Sequence, residues 1–410
     1  MAVRDWWGLL VRNPAFARLW VAESISLAGD WFSVVAISVL AVQRGGGEGA
    51  LAVALTLVAH EVPMGLMRPI AGVLADRFDR RNLLVAVHVA QMFATLAMAE
   101  RALAGDVPGL QVLVVLRSLA GGLDWPARAG ALRRVVSADD LLAANALCGA
   151  SWSAMFALGM ALGGLVASFG APLALALDSA TFAVAAILLA TLPRMPTRAT
   201  SGLGEALARA GSDLREAVAL ARSDPDLLRA VAAKTPMAAA AGAGVVLLNL
   251  IADRASFAGT GALSLGLLQA MRGVGTGLGP LLVARFVPRG PGLLAAWRLA
   301  SWVALAAIAL LPVVEAGWAL LLAAFVWGVG TGTNWMLSSA EIQRRAPDAA
   351  IGRLSGLDLL SVELAFGGSA LLGGLVVEAL GVPGSAAVVG VLLGLALWVA
   401  VEWAARRTAG

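Results

Sequence analysis

Apolar residues run along this chain in long stretches, with polar residues gathered between them. The stretches fall near 15–42, 50–74, 82–103, 109–134, 141–167 and 172–192. Six more fall near 226–251, 260–285, 293–312, 316–342, 352–380 and 383–405. Each is close to or above the ~20 residues that a helix needs to cross a bilayer. Lipid offers nothing to bond a free backbone N–H or C=O, so such runs must be helices with internal hydrogen bonds. The pattern predicts an all-α membrane protein with twelve transmembrane helices. Between the sixth and seventh stretches lies a polar segment, 193–225, where Leu203, Leu207, Leu214 and Val218 recur at helical spacing among arginines and acids. It reads as an amphipathic helix on the membrane surface, the other reading being a disordered linker. Ser223-Asp224-Pro225 then supplies a capping side chain and a first-turn proline, which start a new helix. The expected organisation is a six-helix bundle over 1–192, the linker, and a second six-helix bundle over 226–410.

Arginine changes the picture by giving it a direction. Every second connection is basic: Arg77, Arg80 and Arg81; Arg133 and Arg134; Arg194, Arg198, Arg209, Arg215 and Arg222; Arg285 and Arg289; Arg344, Arg345 and Arg353. Both ends are basic too, with Arg4, Arg12, Arg406 and Arg407, whereas the opposite connections hold only Arg44, Arg101 and Arg254. Positive residues stay on the cytoplasmic side, so both termini are expected there. The expected location is the bacterial cytoplasmic (inner) membrane. Composition agrees: 14% of the 410 residues are charged and 60% hydrophobic, where a soluble chain carries about 25% charged. Met1–Arg12 lacks a small-residue cleavage site, and no cleavable signal peptide is expected. The net charge of +4 could suit nucleic acid, but the arginines follow membrane sidedness, so no nucleic-acid partner is expected. Cys148 is the single cysteine and excludes an intrachain disulfide.

The two halves repeat. Gly122-Leu123-Asp124-Trp125 matches Gly332-Thr333-Asn334-Trp335, and Ala161-Leu162-Gly163-Gly164-Leu165-Val166 matches Leu371-Leu372-Gly373-Gly374-Leu375-Val376, both at an offset of 210. At the starts of the halves, Asn13-Pro14 and Arg18 match Asp224-Pro225 and Arg229 at an offset of 211. A constant offset implies two parallel bundles related by an axis along the membrane normal, with a substrate site near the midplane between them.

Gly72-Val73-Leu74-Ala75-Asp76-Arg77-Phe78-Asp79-Arg80-Arg81 resembles the signature G-x-L-A-D-R-x-G-R-R of the major facilitator superfamily, with Asp79 where many members have glycine. The resemblance implies a conformational gate in which Gly72 permits close helix approach. Asp76, with Arg77, Arg80 and Arg81, latches the cytoplasmic side. The other reading of these charges is topology alone. Arg117-Ser118-Leu119-Ala120-Gly121 resembles the R-x-x-x-G motif of proton-coupled members. Gly159-Met160-Ala161-Leu162-Gly163-Gly164 resembles the antiporter motif G-P-x-x-G-G, with Met160 in place of proline. Small-residue helix packing is the alternative for Gly159, Gly163, Gly164, Gly373 and Gly374. Ile25-Ser26-Leu27-Ala28-Gly29-Asp30-Trp31-Phe32 is similar to the first helix of the exporter branch that includes macrolide efflux and enterobactin export proteins.

Charged residues inside spans are functional candidates by default, because each costs about 2.5–3.5 kcal/mol at a helix centre on insertion scales. Glu23 and Asp30 lie seven residues apart on one helix face. With Arg117 they are the expected proton-coupling residues; a structural polar contact is the alternative for Asp30, and surface snorkelling for Arg117. Lys234, the only lysine, stands eight residues inside the seventh span. At the 211 offset it takes the place of Glu23, so the two are expected to face the cavity and pair in one access state or bind opposite ends of a polar substrate. Snorkelling to the cytoplasmic surface is the other reading of Lys234. The expected cavity residues are Glu23, Asp30, Asp124, Trp125, Lys234, Asn334 and Trp335, on spans that the resemblance implies are 1, 4, 7 and 10. His60-Glu61 opens an H-E-x-x-H pattern, but Met64 ends it, so no zinc site is expected. No phosphate-binding loop precedes Lys234, and no metal or cofactor is expected.

The expected function is secondary active transport by a monomer: proton-coupled export of a small amphipathic drug-like or siderophore-like compound by alternating access. The alternatives are a lysophospholipid or glycolipid transporter of the same fold, a transport-inactive sensor, and an intramembrane enzyme.

Overall fold

The computed structural model describes residues 3–45, 49–75, 77–196, 203–286, 291–347 and 350–409. A short helix, α1 (Val3–Arg12), precedes the first long one. Six long helices follow: α2 (Pro14–Arg44), α3 (Gly49–Ala75), α4 (Arg80–Ala104), α5 (Val107–Val135), α6 (Leu141–Ala167) and α7 (Ala171–Ala190). The linker carries α8 (Leu203–Ser223). The second half comprises α9 (Pro225–Ala232), α10 (Thr235–Ala255), α11 (Gly261–Phe286), α12 (Pro291–Leu310), α13 (Gly317–Arg345), α14 (Ile351–Leu380) and α15 (Ser385–Ala409).

The seventh expected span is therefore two helices. Pro236 has no N–H to give the carbonyl of Ala232, and its ring crowds that carbonyl. The chain breaks there, with Ala233 and Lys234 between α9 and α10. Asn334, expected to line the cavity, is instead fully buried: its amide donates to Ala233 C=O at 3.3 Å and to Ser301 Oγ at 2.8 Å. It satisfies a carbonyl that the break set free.

Among the described residues, eleven stretches are long and apolar enough to cross a bilayer on composition alone. The remaining helix, α11, contains Gln269, Arg272 and several glycines, which dilute its apolar character. Its 26 residues still reach about 39 Å at 1.5 Å per residue, and it packs along α6 and α13. Twelve spans thus stand in two bundles, joined mainly where α3 meets α14 and α6 meets α11.

The apolar core shows how the bundles sit. One continuous cluster joins both halves on the side away from the termini, running from Val39, Leu40 and Val53 to Val246, Leu265 and Leu320. On the termini side there are two separate clusters. One holds Leu9, Phe16, Leu84 and Leu189 of the first half. The other holds Ala221, Leu227, Ile342 and Leu354 of α8 and the second half. The molecule is sealed on the far side and divided on the termini side.

The repeated glycine pairs explain the seal. A Cβ on Gly163 would stand 3.0 Å from Phe32 Cα on α2, and one on Gly373 would stand 2.8 Å from Ala243 Cβ on α10. The first glycine of each pair thus packs within its own bundle. A Cβ on Gly164 would stand 2.8 Å from Gly266 Cα on α11, and one on Gly374 would stand 2.5 Å from Ala54 Cβ on α3. The second glycine of each pair brings the opposite bundle to backbone distance. Gly159 gives way to Trp31 in the same manner, at 2.8 Å from Trp31 Cδ1.

Candidate functional site

Three groups of charged side chains lie within the helices. The first surrounds Arg117 on α5, which is 4% exposed and lies between two carboxylates. It donates to Asp30 on α2 and, at 3.1 Å, to Asp178 on α7. Asp178 is wholly buried and also accepts from Ser33 and, at 3.3 Å, from Thr181 Oγ1. Asp30 is more open, with its side chain 36% exposed. The small Gly29 lets α7 come close: a Cβ there would meet Asp178 Oδ1 at 2.5 Å. The Phe182 ring lies 5.3 Å from the Arg117 guanidinium. At the repeat offsets these three charged positions become Ala241, Trp327 and Val388, so the set occurs in one half only.

The second group lies about two to three turns nearer the termini side. Arg128 on α5 meets Glu23 at 2.9 Å and Asp124 at 3.8 Å. Its guanidinium lies 4.6 Å from the centre of the half-exposed Trp125 ring. His88 is 3.9 Å from Asp124. The matching place in the second half holds Lys234, buried in the helix break, paired with Asp358 on α14 and 4.8 Å from the Trp335 ring. Trp125 and Trp335, mates in the repeat, thus each sit against a cation. In this structure Glu23 and Lys234 do not pair with each other, because each meets a partner of opposite charge inside its own bundle. The snorkelling reading of Lys234 fails as well, since the side chain is only 2% exposed. The break turns Lys234 into its own bundle, where Asp358 stands.

The third group crosses between bundles. Arg68 on α3 donates through Nε to Glu363 Oε1 on α14 at 2.9 Å. Near it, Glu61 on α3 lies 3.9 Å from His60. Arg272 on α11 sits between the Phe156 ring, 5.3 Å from its Cζ, and the Trp327 ring, at 4.7 Å.

Of the signature residues, Asp76 lies outside the described residues. Gly72 occupies the last turn of α3 and Arg77 the turn that follows. Asp79, the departure from the signature, caps α4 by accepting from Asn82 N at 3.1 Å, and its other oxygen accepts from Met195 N at 2.7 Å. A Cβ on Gly130 of α5 would meet Arg80 Nε at 2.3 Å, so this glycine makes room for the arginine. Arg81 is the second residue of α4, with its Nε shielded from solvent.

Sequence reading did not single out Asp178, Arg128, Asp358, Arg68, Glu363 or Arg272. Their signal was present, since each is a charge inside an apolar run. Attention to motifs and repeat mates passed over charges that belong to neither.

A profile of the Major Facilitator Superfamily matches residues 19–368. The uncharacterized MFS-type transporter YfiS of Bacillus subtilis (strain 168) is 26% identical over 187 residues, 45% of this chain and 44% of that protein. The chain thus spans less than half the length of that relative. The uncharacterized MFS-type transporter y4rN of Sinorhizobium fredii (strain NBRC 101917 / NGR234) is 30% identical over 291 residues, 68% of each chain. In fold, the chain is similar to a peptide transporter solved with alafosfalin, at a TM-score of 0.71 and 16% identity, covering 96% of this chain and 95% of that one. It is also similar to the nucleoside transporter NupG, at a TM-score of 0.67 and 16% identity, covering 95% and 99%. These relatives are transporters, which sets aside the intramembrane enzyme. With twelve spans in two repeated bundles and the superfamily profile across most of its length, the chain belongs to the Major Facilitator Superfamily of secondary transporters.

Proposed function

We propose that the protein couples proton entry to the export of small amphipathic compounds across the bacterial cytoplasmic membrane, as a monomer. The observation that carries this reading is the arrangement of Asp30, Arg117 and Asp178. A buried arginine stays charged and needs a partner in every state. Here it has two, one sealed and one reachable. When Asp30 takes a proton, Arg117 keeps Asp178 and no buried charge is left alone. When Asp30 releases the proton, Arg117 returns to it. Asp30 can therefore load and unload without a desolvation penalty that would stall the cycle. Asp178, held by Ser33, Thr181 and Arg117, is the fixed counter-ion.

Two further points support export. The positive-inside pattern sets the divided side of the molecule toward the cytoplasm, which is where cargo for export would load. Residues 25–32 resemble the exporter branch. Glu23, Arg128 and Trp125 line the route from that side to Asp30.

The experiment is proton-driven uptake into inside-out vesicles, run with a panel of amphipathic compounds that includes lysophospholipids. Asp30→Asn is expected to abolish pH-gradient-driven accumulation while substrate binding persists. Undiminished accumulation by Asp30→Asn would refute the role of this carboxylate. Accumulation of lysophospholipids alone would move the reading to the lipid-transporting alternative.

A further inference from the structure

Arg272 takes no part in the proton step, yet it stands near the middle of the membrane, eleven residues into α11, about 17 Å along the helix. Arg68, Arg117, Arg128 and Lys234 each hold a carboxylate. Arg272 makes no ion pair among the described residues, and its Nη1 is shielded from solvent without a hydrogen-bond partner. An arginine left without an ion pair at this depth is costly, and such residues mark substrate or ion pathways.

Its surroundings fix how it can be used. Phe156 reaches it from α6 of the first bundle and Trp327 from α13 of the second, at 5.3 and 4.7 Å from ring centre to Cζ. Arg272 therefore lies at the seam where the bundles meet. The rings compensate the charge but cannot accept the in-plane N–H groups, which form a fork suited to an oxyanion. Phe156 in turn lies 4.6 Å from Trp31 and 5.5 Å from Trp152, ring centre to ring centre. Trp152 is 37% exposed. An apolar, partly open aromatic wall thus adjoins the guanidinium. The mate of Arg272 at the 211 offset is Glu61 on α3. No ion pair joins it to Arg272 among the described residues. The pseudo-symmetric position was filled with the opposite charge, and the two were left unjoined.

We infer that Arg272 is the binding point for an anionic group of the transported compound, with the Trp31, Trp152 and Phe156 rings receiving its apolar body. The substrate class is an amphipathic organic anion, carrying a carboxylate or phosphate. This inference rests on the transporter reading above and adds the charge of its cargo.

Binding to the full-length protein in lipid nanodiscs tests it, with empty discs subtracted and no proton gradient applied. The probes are naphthalene-2-acetate, indole-3-acetate and cholate, each against its primary amide. The wild type is expected to favour the acid in at least one pair by about tenfold or more, as a charge-assisted contact gives. Arg272→Gln is expected to lose that preference and keep the amide's affinity; Arg272→Lys is expected to retain part of it. No preference for the acid in any wild-type pair overturns the inference, and so does a preference unchanged in Arg272→Gln. Because the readout is binding, a failed proton-coupling assay leaves this result standing. Proton-driven export confined to neutral or cationic compounds overturns the anion site and leaves the coupling reading intact.

Discussion

Lys234 shows what a single position can and cannot announce. Its singularity and its depth in an apolar run were plain in the sequence, and both marked it as an intramembrane charge with a task. Its partner was not legible. The repeat relates Lys234 to Glu23, and mates in a two-fold repeat stand at equal depth without having to touch. The partner, Asp358, is 124 residues away and has no motif around it. Asp30 and Arg117 were legible as a pair of equal depth, whereas Asp178, which makes their arrangement workable, was hidden in the most apolar run of the first half. The Lys234–Asp358 pair is closed to solvent, with side chains 2% and 4% exposed. Removing one member leaves a buried charge, at a cost of about 3–5 kcal/mol, while replacing both with apolar residues is often neutral. Lys234→Met should therefore lower the unfolding temperature in nanodiscs clearly. The double variant Lys234→Met with Asp358→Leu should recover most of the loss. Equal losses in both would show that the pair does not act as one unit.

Helices divide their work at the scale of single turns. The starting signal at Ser223-Asp224-Pro225 marked where α9 begins, whereas Pro236, which breaks α9 from α10, was passed over when 226–251 was read as one span. The glycine pairs were visible as packing motifs, yet only the structure assigns one glycine to each bundle. That assignment makes the two separable. Overpacking costs about 1–3 kcal/mol. Gly164→Val and Gly374→Val should spend it against the far-side seal, shifting the state population by about 5- to 150-fold. Spin-label distances across the far side should lengthen in those variants. Gly163→Val and Gly373→Val should instead lower thermal stability, with far-side distances unchanged. The surface helix α1 supplies a test by pH. Asp140, just ahead of α6, accepts from Arg12 at 3.0 Å and from Asn13 at 2.8 Å. These hydrogen bonds, with the Arg12 charge, hold its carboxyl below the ordinary 3.8. A lowered folded value gives stability that is complete above the ordinary value and fades as pH falls through the folded one. A spin label at position 7 should thus stay ordered at pH 5 and above and become mobile in strongly acidic buffer. In Arg12→Ala it should be mobile at every pH.

At the scale of the whole molecule, the two-fold plan was the most legible feature, because constant offsets of 210 and 211 recur along the chain. Which side is open was not legible. Alternating states of one sequence differ by a few kcal/mol at most, and no residue pattern records a balance that fine. The plan is also broken where it matters for coupling. The Arg117 set stands in one half, and its counterpart positions hold Ala241, Trp327 and Val388. Under the proposed coupling, a single exchangeable carboxylate in that set gives a ratio of one proton per turnover, and with it an electrical signature. Neutral cargo leaving against one entering proton moves one elementary charge inward, and a monovalent anion moves two. Each charge draws about 2.3 kcal/mol from every 100 mV of membrane potential. In proteoliposomes clamped with potassium and valinomycin, the reversal potential should follow these ratios. A cell that kept its voltage while losing its pH gradient would then still expel both kinds of cargo, anions with twice the electrical drive of neutral compounds.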